Sequence, residues 1–300
     1  MKVVLGARQV TAHDEAICGA TWCQGELLTA SLDGSMKIWD VVSNSNSISA
    51  KFATHKQKIG ATSIAAVQDG STAVVCYQNG SIKFFDIINK EESGEGINAG
   101  MLDAWSVCLS PGDDVLASGN RKGEVHVWSM QPGHEKLTTL QTHNKFILSA
   151  QFSIDGKLAV ASMDGFVNVF DMETQQIVHK IEAHAQPIRS IVFSPAGDLL
   201  YSASDDRHVS VFDVKSGQNI TSFSHGGIAL SVDASSDLRH FIVGSADKAV
   251  SVWDLGMQRL EQKLEGIHTD KVTAVSYDRT DATGKRFSSV GDDATIQLYH

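Results

Sequence analysis

Apolar and polar residues alternate in short runs along the whole chain, a pattern typical of β-strands with one buried face. Residues 36–39, 125–128 and 209–212 are examples, and each of these runs ends at an aromatic residue. Seven such aromatics follow one another at intervals of 41 to 46 residues: Trp39, Phe85, Trp128, Phe170, Phe212, Trp253 and Tyr299. A repeat of about 40–45 residues that holds four short strands has the size of one β-propeller blade. The pattern therefore predicts an all-β, seven-bladed propeller that occupies residues 1–300 as a single domain.

Two further positions repeat with the aromatics. A turn-forming or polar residue stands six residues before each of them: Asp33, Asn79, Lys122, Asp164, Asp206, Asp247 and Asp293. Four of these seven are followed by glycine, which is the composition of a tight hairpin turn. Six units also have a histidine 20 to 25 residues upstream of the turn residue: His13, His55, His143, His184, His225 and His268. The recurrence indicates one structural arrangement used several times.

These residues resemble the WD-repeat family over all 300 residues. In that family a structural tetrad joins the turn aspartate, the upstream histidine, a serine or threonine two residues before the aspartate, and the tryptophan. The resemblance implies two complete tetrads, His13–Ser31–Asp33–Trp39 and His225–Ser245–Asp247–Trp253. It implies two more in which phenylalanine replaces tryptophan, His143–Ser162–Asp164–Phe170 and His184–Ser204–Asp206–Phe212. The second, third and last units depart from the motif, so we expect looser hydrogen bonding there.

The ends of the chain suggest how the ring closes. In WD40-type propellers the aromatic lies on the third strand of a blade, so the last unit lacks a fourth strand after Tyr299. Residues 3–10 precede the first unit and are apolar enough to supply that strand. We therefore expect an N-terminal strand to complete the last blade, which removes an unpaired sheet edge. Residues 43–47, 89–96 and 279–285 are polar and indicate solvated connections.

Charge and residue composition disfavour several classes of function. The net charge of −10 disfavours direct binding of nucleic acid, which usually requires a basic face. The four cysteines form no CxxC pair and no metal-ligand spacing, so we expect buried, reduced thiols and no bound metal: Cys18, Cys23, Cys76 and Cys108. The first residues do not form a signal peptide, and no apolar run reaches the roughly 20 residues of a membrane helix. We expect an intracellular protein, cytoplasmic and nuclear, that does not cross a membrane.

Ser31, His13 and Asp33 have the residue types of a hydrolase triad. Similar trios recur in at least four units, whereas an active site needs only one. We therefore expect no catalysis, no cofactor and no small-molecule substrate. The alternative, an enzyme built on a propeller, is open to a broad hydrolase screen.

Partners of a propeller bind the face formed by the loops that enter the inner strands and by the tight hairpins, here called the loop face. We predict that six residues form a protein-binding site there: Asp103, Trp105, Phe146, Pro187, Asp205 and Asp292. Trp105 stands where other units have Leu148 or Arg189. An arginine could stack on its indole and pair with a carboxylate, while Phe146 received an apolar side chain. The alternative is that Trp105 packs inside its own blade.

A finer resemblance is to the small WD-repeat subunits of superkiller (Ski) complexes, carried by residues 103–106, 145–149, 184–190 and 290–293. The animal members also belong to the RNA polymerase II-associated factor (Paf) complex. The resemblance implies a scaffold that joins a tetratricopeptide subunit and a helicase, which feed messenger RNA to the exosome. The partners, not this chain, would contact the RNA. The alternative is another WD-repeat scaffold, such as a ubiquitin-ligase substrate receptor or a chromatin reader.

Overall fold

The computed structural model describes residues 3–42, 47–101, 103–142, 145–281 and 283–300. Within those ranges the regular elements are all β-strands, arranged in seven antiparallel sheets. Each sheet is one blade, and the innermost strands of neighbouring blades contact one another around a closed ring. The prediction of a seven-bladed all-β propeller is confirmed. No helix in the described part of the chain is long and apolar enough to cross a membrane.

The first three blades are given from the inner to the outer strand. Blade 1 contains β2 (Ile17–Cys23), β3 (Glu26–Ser31), β4 (Met36–Val42) and β5 (Ser47–Ala53). Blade 2 contains β6 (Ala61–Ala66), β7 (Thr72–Tyr77) and β8 (Ser81–Asp86), with β9 (Glu91–Glu92) and β10 (Ile97–Asn98) both paired to β8. Blade 3 contains β11 (Ser106–Leu109), β12 (Val115–Gly119), β13 (Glu124–Ser129) and β14 (Lys136–Gln141).

The remaining blades follow the same order. Blade 4 contains β15 (Ile147–Phe152), β16 (Lys157–Ser162), β17 (Phe166–Asp171) and β18 (Gln176–Glu182). Blade 5 contains β19 (Ile188–Phe193), β20 (Leu199–Ser204), β21 (His208–Asp213) and β22 (Asn219–Ser224). Blade 6 contains β23 (Ala229–Ala234), β24 (His240–Ser245), β25 (Val250–Asp254) and β26 (Arg259–Leu264). Blade 7 contains β27 (Val272–Tyr277), β28 (Phe287–Gly291), β29 (Ile296–Tyr299) and β1 (Leu5–Gln9).

Blade 7 is completed by the start of the chain. Strand β1 pairs antiparallel with β29, and its backbone bonds begin at Val4, which exchanges N–H···O bonds of 2.9 and 3.1 Å with His300. Val3 is only 3 % exposed because it packs against side chains of both blade 6 and blade 7. The prediction of an N-terminal closing strand is confirmed.

The aromatic at the end of each repeat lies on the third strand of its blade and is buried, as predicted. Apolar side chains of neighbouring blades pack together, so the core is a ring of inter-blade clusters. Serines on the inner strands also form hydrogen bonds between neighbouring blades. Ser231 Oγ accepts the Val275 N–H of the next blade at 3.1 Å, and Ser149 does the same for Ile191 at 3.2 Å.

The loops and the cysteines compare with the predictions as follows. Residues 89–96 are exposed, as expected of a solvated connection, and Glu91–Glu92 within them also pair with β8. Residues 43–46 lie outside the described residues. The cysteines are free thiols; Cys18 is half-buried and the other three are buried.

Candidate functional site

The loop face is organised by a repeated irregularity at the start of the inner strands. In six blades a β-bulge interrupts the pairing of the first two strands, for example between Ile147 and Ser149 and between Ile188 and Ser190. The extra residue, Leu148 or Arg189, borders the central channel of about 550 Å³. A bulge redirects one side chain out of the regular pleat. Trp105 precedes β11 at the equivalent place and borders the same channel.

Trp105 and Phe146 lie together across the boundary between blades 3 and 4. Their ring centroids are 5.1 Å apart with an interplanar angle of 76°, the edge-to-face geometry that aromatic pairs prefer. Both side chains are half-buried. Met163, which is 44 % exposed, lies next to Phe146, because its N–H donates to the Phe146 carbonyl at 2.9 Å. The three residues form an accessible apolar patch, which we call the aromatic arc.

Pro187 and Asp205 also meet on the loop face, one blade further round. The Asp205 N–H donates to the Pro187 carbonyl at 3.0 Å. The Nε and Nη2 atoms of Arg189 donate to the two oxygens of the Asp205 carboxylate, at 2.8 and 2.6 Å. The resulting bidentate pair raises the pKa of Arg189, and it occupies the carboxylate that was expected to face a partner.

Of the two remaining predicted residues, Asp103 lies on blade 3 and Asp292 lies on blade 7. Asp103 lies 3.5 Å from the ammonium of Lys122 across blade 3, a loose surface pair. Asp292 lies on blade 7, bonded through its N–H to the Lys271 carbonyl. Burial and the neighbouring Asp292 carboxylate together raise the pKa of the Cys18 thiol to about 12, which places Asp292 beside blade 1. The structure therefore joins Trp105 and Phe146 directly but does not bring Asp292 into that group.

Beneath the loop face, blade 1 has a buried hydrogen-bond network. His13 Nδ1 lies 3.2 Å from Asp33 Oδ2, and His13 Nε2 lies 2.8 Å from Thr29 Oγ1. The indole N–H of Trp39 donates to the same Thr29 hydroxyl at 2.8 Å. Ser31, the residue predicted for this role, does not contact His13. Its hydroxyl instead donates to the carbonyls of Glu15 and Ala16.

The same correction applies in blade 5. His184 bonds Asp206 at 2.8 Å and the hydroxyl of Ser202 at 2.7 Å, whereas the predicted Ser204 donates to the Pro187 carbonyl. The bridging hydroxyl therefore stands four residues before the aspartate, not two. Side chains of a strand alternate, so both positions share one face, and only the deeper hydroxyl reaches the ring nitrogen. Phe212 is buried beside the network without a donor of its own.

Blade 7 has a complete network, contrary to the looser bonding that we expected. His268 lies 3.1 Å from the Asp293 carboxylate and 2.7 Å from Ser289 Oγ. The Tyr299 hydroxyl meets the Ser289 hydroxyl at 3.0 Å. A tyrosine O–H thus replaces the indole N–H as the polar end of the aromatic. Blade 3 keeps the outer part of the arrangement, since Trp128 donates to Ser118 at 2.9 Å.

The predicted tetrad of blade 6 is not assembled as expected. The Trp253 indole lies 3.4 Å from His225 Nε2, because position 243, where other blades place the bridging hydroxyl, is valine. Ser245 donates to Asp247, whose carboxylate also pairs with Lys263. His225 Nδ1 has no hydrogen-bond partner among the described residues.

The predicted tetrad residues of blade 4 and the predicted histidine of blade 2 do not form a described network. Ser162 donates to Asp164, and Phe170 is buried, but His143 lies outside the described residues. His55 has the spacing of the other repeat histidines. It is exposed, however, whereas His13, His184, His225 and His268 are buried.

Burial sets the charge state of the blade 1 network. Burial lowers the pKa of His13 to about 4, against the opposing attraction of Asp33, so the imidazole is neutral near pH 7. Burial also pushes the pKa of Asp33 upward. Hydrogen bonds from Ser35 and from the Asp14 backbone outweigh that effect and lower it to about 2. A neutral histidine held by a carboxylate and a hydroxyl is a structural tie, and Ser31 is not placed to be activated by His13.

We expect Thr29→Val to reduce the free energy of unfolding by about 2–3 kcal/mol, because it leaves His13 Nε2 and the Trp39 indole without their shared partner. Valine fits this strand position, since Val160 and Val243 occupy it in blades 4 and 6. Urea titration measures the loss. The control is Thr138→Val, which removes only an exposed bond to Gln175 and should stay within about 0.5 kcal/mol of the parent. Equal losses in both variants would contradict the network.

Comparisons with known proteins agree with this architecture. The family model for the WD domain, G-beta repeat, matches residues 7–40, 134–171, 175–213 and 217–254. Each segment covers the three inner strands of one blade, blade 1, 4, 5 or 6, together with the outer strand of the blade before it. The three inner strands of blades 2, 3 and 7 lie in the unmatched stretches 41–133 and 255–300.

Three curated relatives illustrate the similarity. The chain is 32 % identical over 303 residues to WD repeat-containing protein SL1-17 of Schistosoma mansoni, covering 97 % of each protein. It is 28 % identical to meiotic recombination protein rec14 of Schizosaccharomyces pombe, over 70 % of this chain and 69 % of that protein. It is 31 % identical to WD repeat-containing protein VIP3 of Arabidopsis thaliana, over 61 % of this chain and 62 % of that protein. The chain belongs to the WD-repeat family.

Proposed function

We propose that this protein is a non-catalytic scaffold of the Ski complex, working with the exosome in cytoplasmic messenger RNA decay, and in animals also of the Paf complex in the nucleus. The observation that supports it best is the aromatic arc, an accessible Trp105–Phe146 pair on the face where propellers receive partners. The WD-repeat propeller generally serves as a scaffold and not as an enzyme. The segments that resemble Ski subunits include both aromatics.

The partners in this proposal are the tetratricopeptide subunit and the helicase of the Ski complex. Aromatic side chains commonly anchor protein interfaces because they bury much area with little conformational entropy to lose. The indole of Trp105 can stack on an arginine of the partner, and Phe146 with Met163 can receive an apolar side chain. The bidentate Arg189–Asp205 pair beside the arc supplies a rigid polar rim.

The alternative is a WD-repeat scaffold of another assembly, such as a ubiquitin-ligase substrate receptor or a chromatin reader. The fission yeast relative rec14 is named as a meiotic recombination protein, a process to which neither of the proposed complexes is assigned here. Co-elution of the purified chain with the Ski tetratricopeptide and helicase subunits distinguishes the readings. Absence of a co-eluting complex favours the alternative.

We expect Trp105→Ala to weaken binding to the tetratricopeptide subunit by about 2 kcal/mol, or roughly 30-fold in Kd. Trp105 lies outside the inter-blade apolar clusters around it, so the melting temperature should stay close to that of the parent. Isothermal titration with a parallel melting curve measures both effects.

The matched control is Ile88→Ala, an apolar residue that is 72 % exposed and follows β8 at the end opposite the loop face. Its affinity should equal that of the parent. Unchanged affinity of a folded Trp105→Ala protein would exclude the arc as the binding site. A collapsed melting curve would instead show that Trp105 belongs to the core of its blade.

A further inference from the structure

We propose that a crevice between blades 4 and 5 binds the ammonium group of a lysine side chain from a partner protein. The crevice has a volume of about 400 Å³ and lies where the connection from β18 to β19 passes the β20–β21 hairpin. It is lined by residues 182–185 of that connection and, from blade 5, by Asp206, His208, Ser210 and Ser222.

In blade 1, a lysine of the protein itself occupies the corresponding place. Lys37 lies on β4, two residues before the third-strand aromatic. Its Nζ donates at 2.6 Å to the carbonyl of Ala12, the residue before the repeat histidine. In blade 7, Gln297 stands at the same position, and its Nε2 donates to the corresponding carbonyl, that of Ile267, at 3.5 Å. A donor from the third strand therefore joins the blade to the connection that enters it.

Blade 6 also has a lysine in this place, supplied by its outer strand. Lys263 faces Ser251 in the β25–β26 register, and Ser251 stands two residues before the third-strand aromatic. Lys263 Nζ lies 3.1 Å from Oδ2 of the turn aspartate Asp247, and it also pairs with Glu265 at 2.5 Å. The lysine ammonium thus lies beside the turn aspartate of its own blade.

Blade 5 lacks both lysines. Ser210 stands at the position of Lys37, and Ser222, which faces Ser210 in the β21–β22 register, stands at the position of Lys263. The two serine hydroxyls lie 2.9 Å apart and bond each other. No described residue donates to the carbonyl of Ala183, the residue before the repeat histidine. The crevice is therefore the space that a lysine side chain fills in blades 1 and 6.

The lining of the crevice suits a cation. It includes the acidic residues Glu182 and Asp206, and none of its described residues is a lysine or an arginine. Asp206 Oδ2 lies 2.8 Å from His184 Nδ1, and Oδ1 accepts the His208 backbone N–H at 2.9 Å. Burial lowers the pKa of His184, so this ring is neutral near pH 7. The His208 ring lies at the exposed edge, with Nδ1 3.0 Å from the Asp206 carbonyl oxygen.

The arrangement of acceptors favours lysine over arginine. An ammonium is a compact charge with three donors on a flexible stem, whereas a guanidinium is a planar fork that suits a single carboxylate. The Ala183 carbonyl, the Asp206 carboxylate and the serine hydroxyls are separate acceptors around one space. The side chains that fill the corresponding places in blades 1 and 6 are both lysines.

The crevice shares no residue with the aromatic arc, which lies at the boundary between blades 3 and 4. It would give a partner a second, charged contact one blade boundary further round the ring. Trp105→Ala should therefore leave this site intact, so failure of one site can be told apart from failure of the other.

The test titrates the full chain at pH 7.5 with n-butylammonium, which has the four-carbon stem and the ammonium of lysine. Nuclear magnetic resonance of the His184 and His208 ring protons follows the binding. We expect saturation with a Kd on the order of 1–10 mM, as befits a ligand of five heavy atoms. n-Butanol, in which a hydroxyl replaces the ammonium, should bind at least tenfold more weakly, because it brings no charge to the carboxylates.

Ser210→Lys should fill the crevice from within, as Lys37 does in blade 1. We expect it to weaken n-butylammonium binding at least tenfold and to raise the melting temperature by about 2 °C. Ser251→Lys is the matched control, because Lys263 already supplies the ammonium in blade 6. It should bind n-butylammonium like the parent and gain no stability.

Three results would overturn the proposal: no saturable binding to the parent, equal binding of n-butanol, or unchanged n-butylammonium binding in Ser210→Lys. Should Ser210→Lys fail to fold, Ser222→Lys places the lysine as blade 6 does and should block the crevice equally. Unchanged binding in a folded Ser222→Lys protein would then decide against the site.

Discussion

Deletion of residues 1–11 is expected to open blade 7 and to lower the free energy of unfolding by about 5 kcal/mol, or roughly 10–20 °C in melting temperature. The deletion removes the whole of β1 and leaves β29 as an unpaired edge. It also removes Val3 and Ala7, which are buried in two different inter-blade clusters. Differential scanning calorimetry measures the change.

Two point variants separate the buried contact from the strand itself. Val3→Ser should cost about 2 kcal/mol, because it places a hydroxyl among apolar side chains. Val4→Ser is the control, since Val4 is 51 % exposed and should tolerate the change within about 0.5 kcal/mol. A truncated protein that melts with the parent would show that three strands suffice for blade 7.

The ring itself could be predicted from the sequence because its rules are local. Strand alternation, hairpin turns and the third-strand aromatic depend only on residues within one repeat. The repeat occurs seven times, so the pattern stands out clearly. Even closure of the ring followed from counting strands, since Tyr299 ends the third strand of a blade that needs a fourth.

The hydrogen-bond networks were harder to predict. Ser31 and Thr29 lie on the same face of β3, and spacing alone does not show which hydroxyl reaches His13. The position of each hydroxyl relative to the His13 ring decides this, and that position depends on the twist of the strand in the folded blade. Tyr299 was judged by residue identity as a departure from the motif, whereas its hydroxyl supplies the polar contact that an indole would make.

The candidate site was predicted only in its parts. That Trp105 would meet Phe146 required two blades to be placed side by side, which no pattern within one repeat describes. The pairing of Arg189 with Asp205 depends on the β-bulge that turns Arg189 toward the hairpin. Residues predicted from their position in the repeat were therefore placed on the correct face, but their partners came from neighbouring elements.

Acid is expected to destabilise the propeller well before its carboxylates titrate. Burial lowers the pKa of His13 to about 4 and lowers the pKa values of His184, His225 and His268 in the same direction. Around His13 the attraction of Asp33 opposes this shift and Lys37 adds to it. Below about pH 6.5 the unfolded histidine binds a proton that the folded one does not. Stability is therefore unaffected above pH 6.5, falls as the pH drops toward 4, and loses nothing further from His13 below that.

For His13 alone the shift corresponds to about 3 kcal/mol, and the other three histidines add to it. Urea titrations between pH 7.5 and 4.5 should show the free energy of unfolding falling steadily across this range. The sign is opposite for Asp33, whose lowered pKa makes its contribution disappear only below its ordinary value of 3.8, outside the window. Because the side chain of His13→Asn takes up no proton, this variant should show a shallower dependence of the free energy of unfolding on pH, at a lower stability throughout. A stability that is constant between pH 7.5 and 4.5 would mean that the buried histidines take up protons without unfolding the blades.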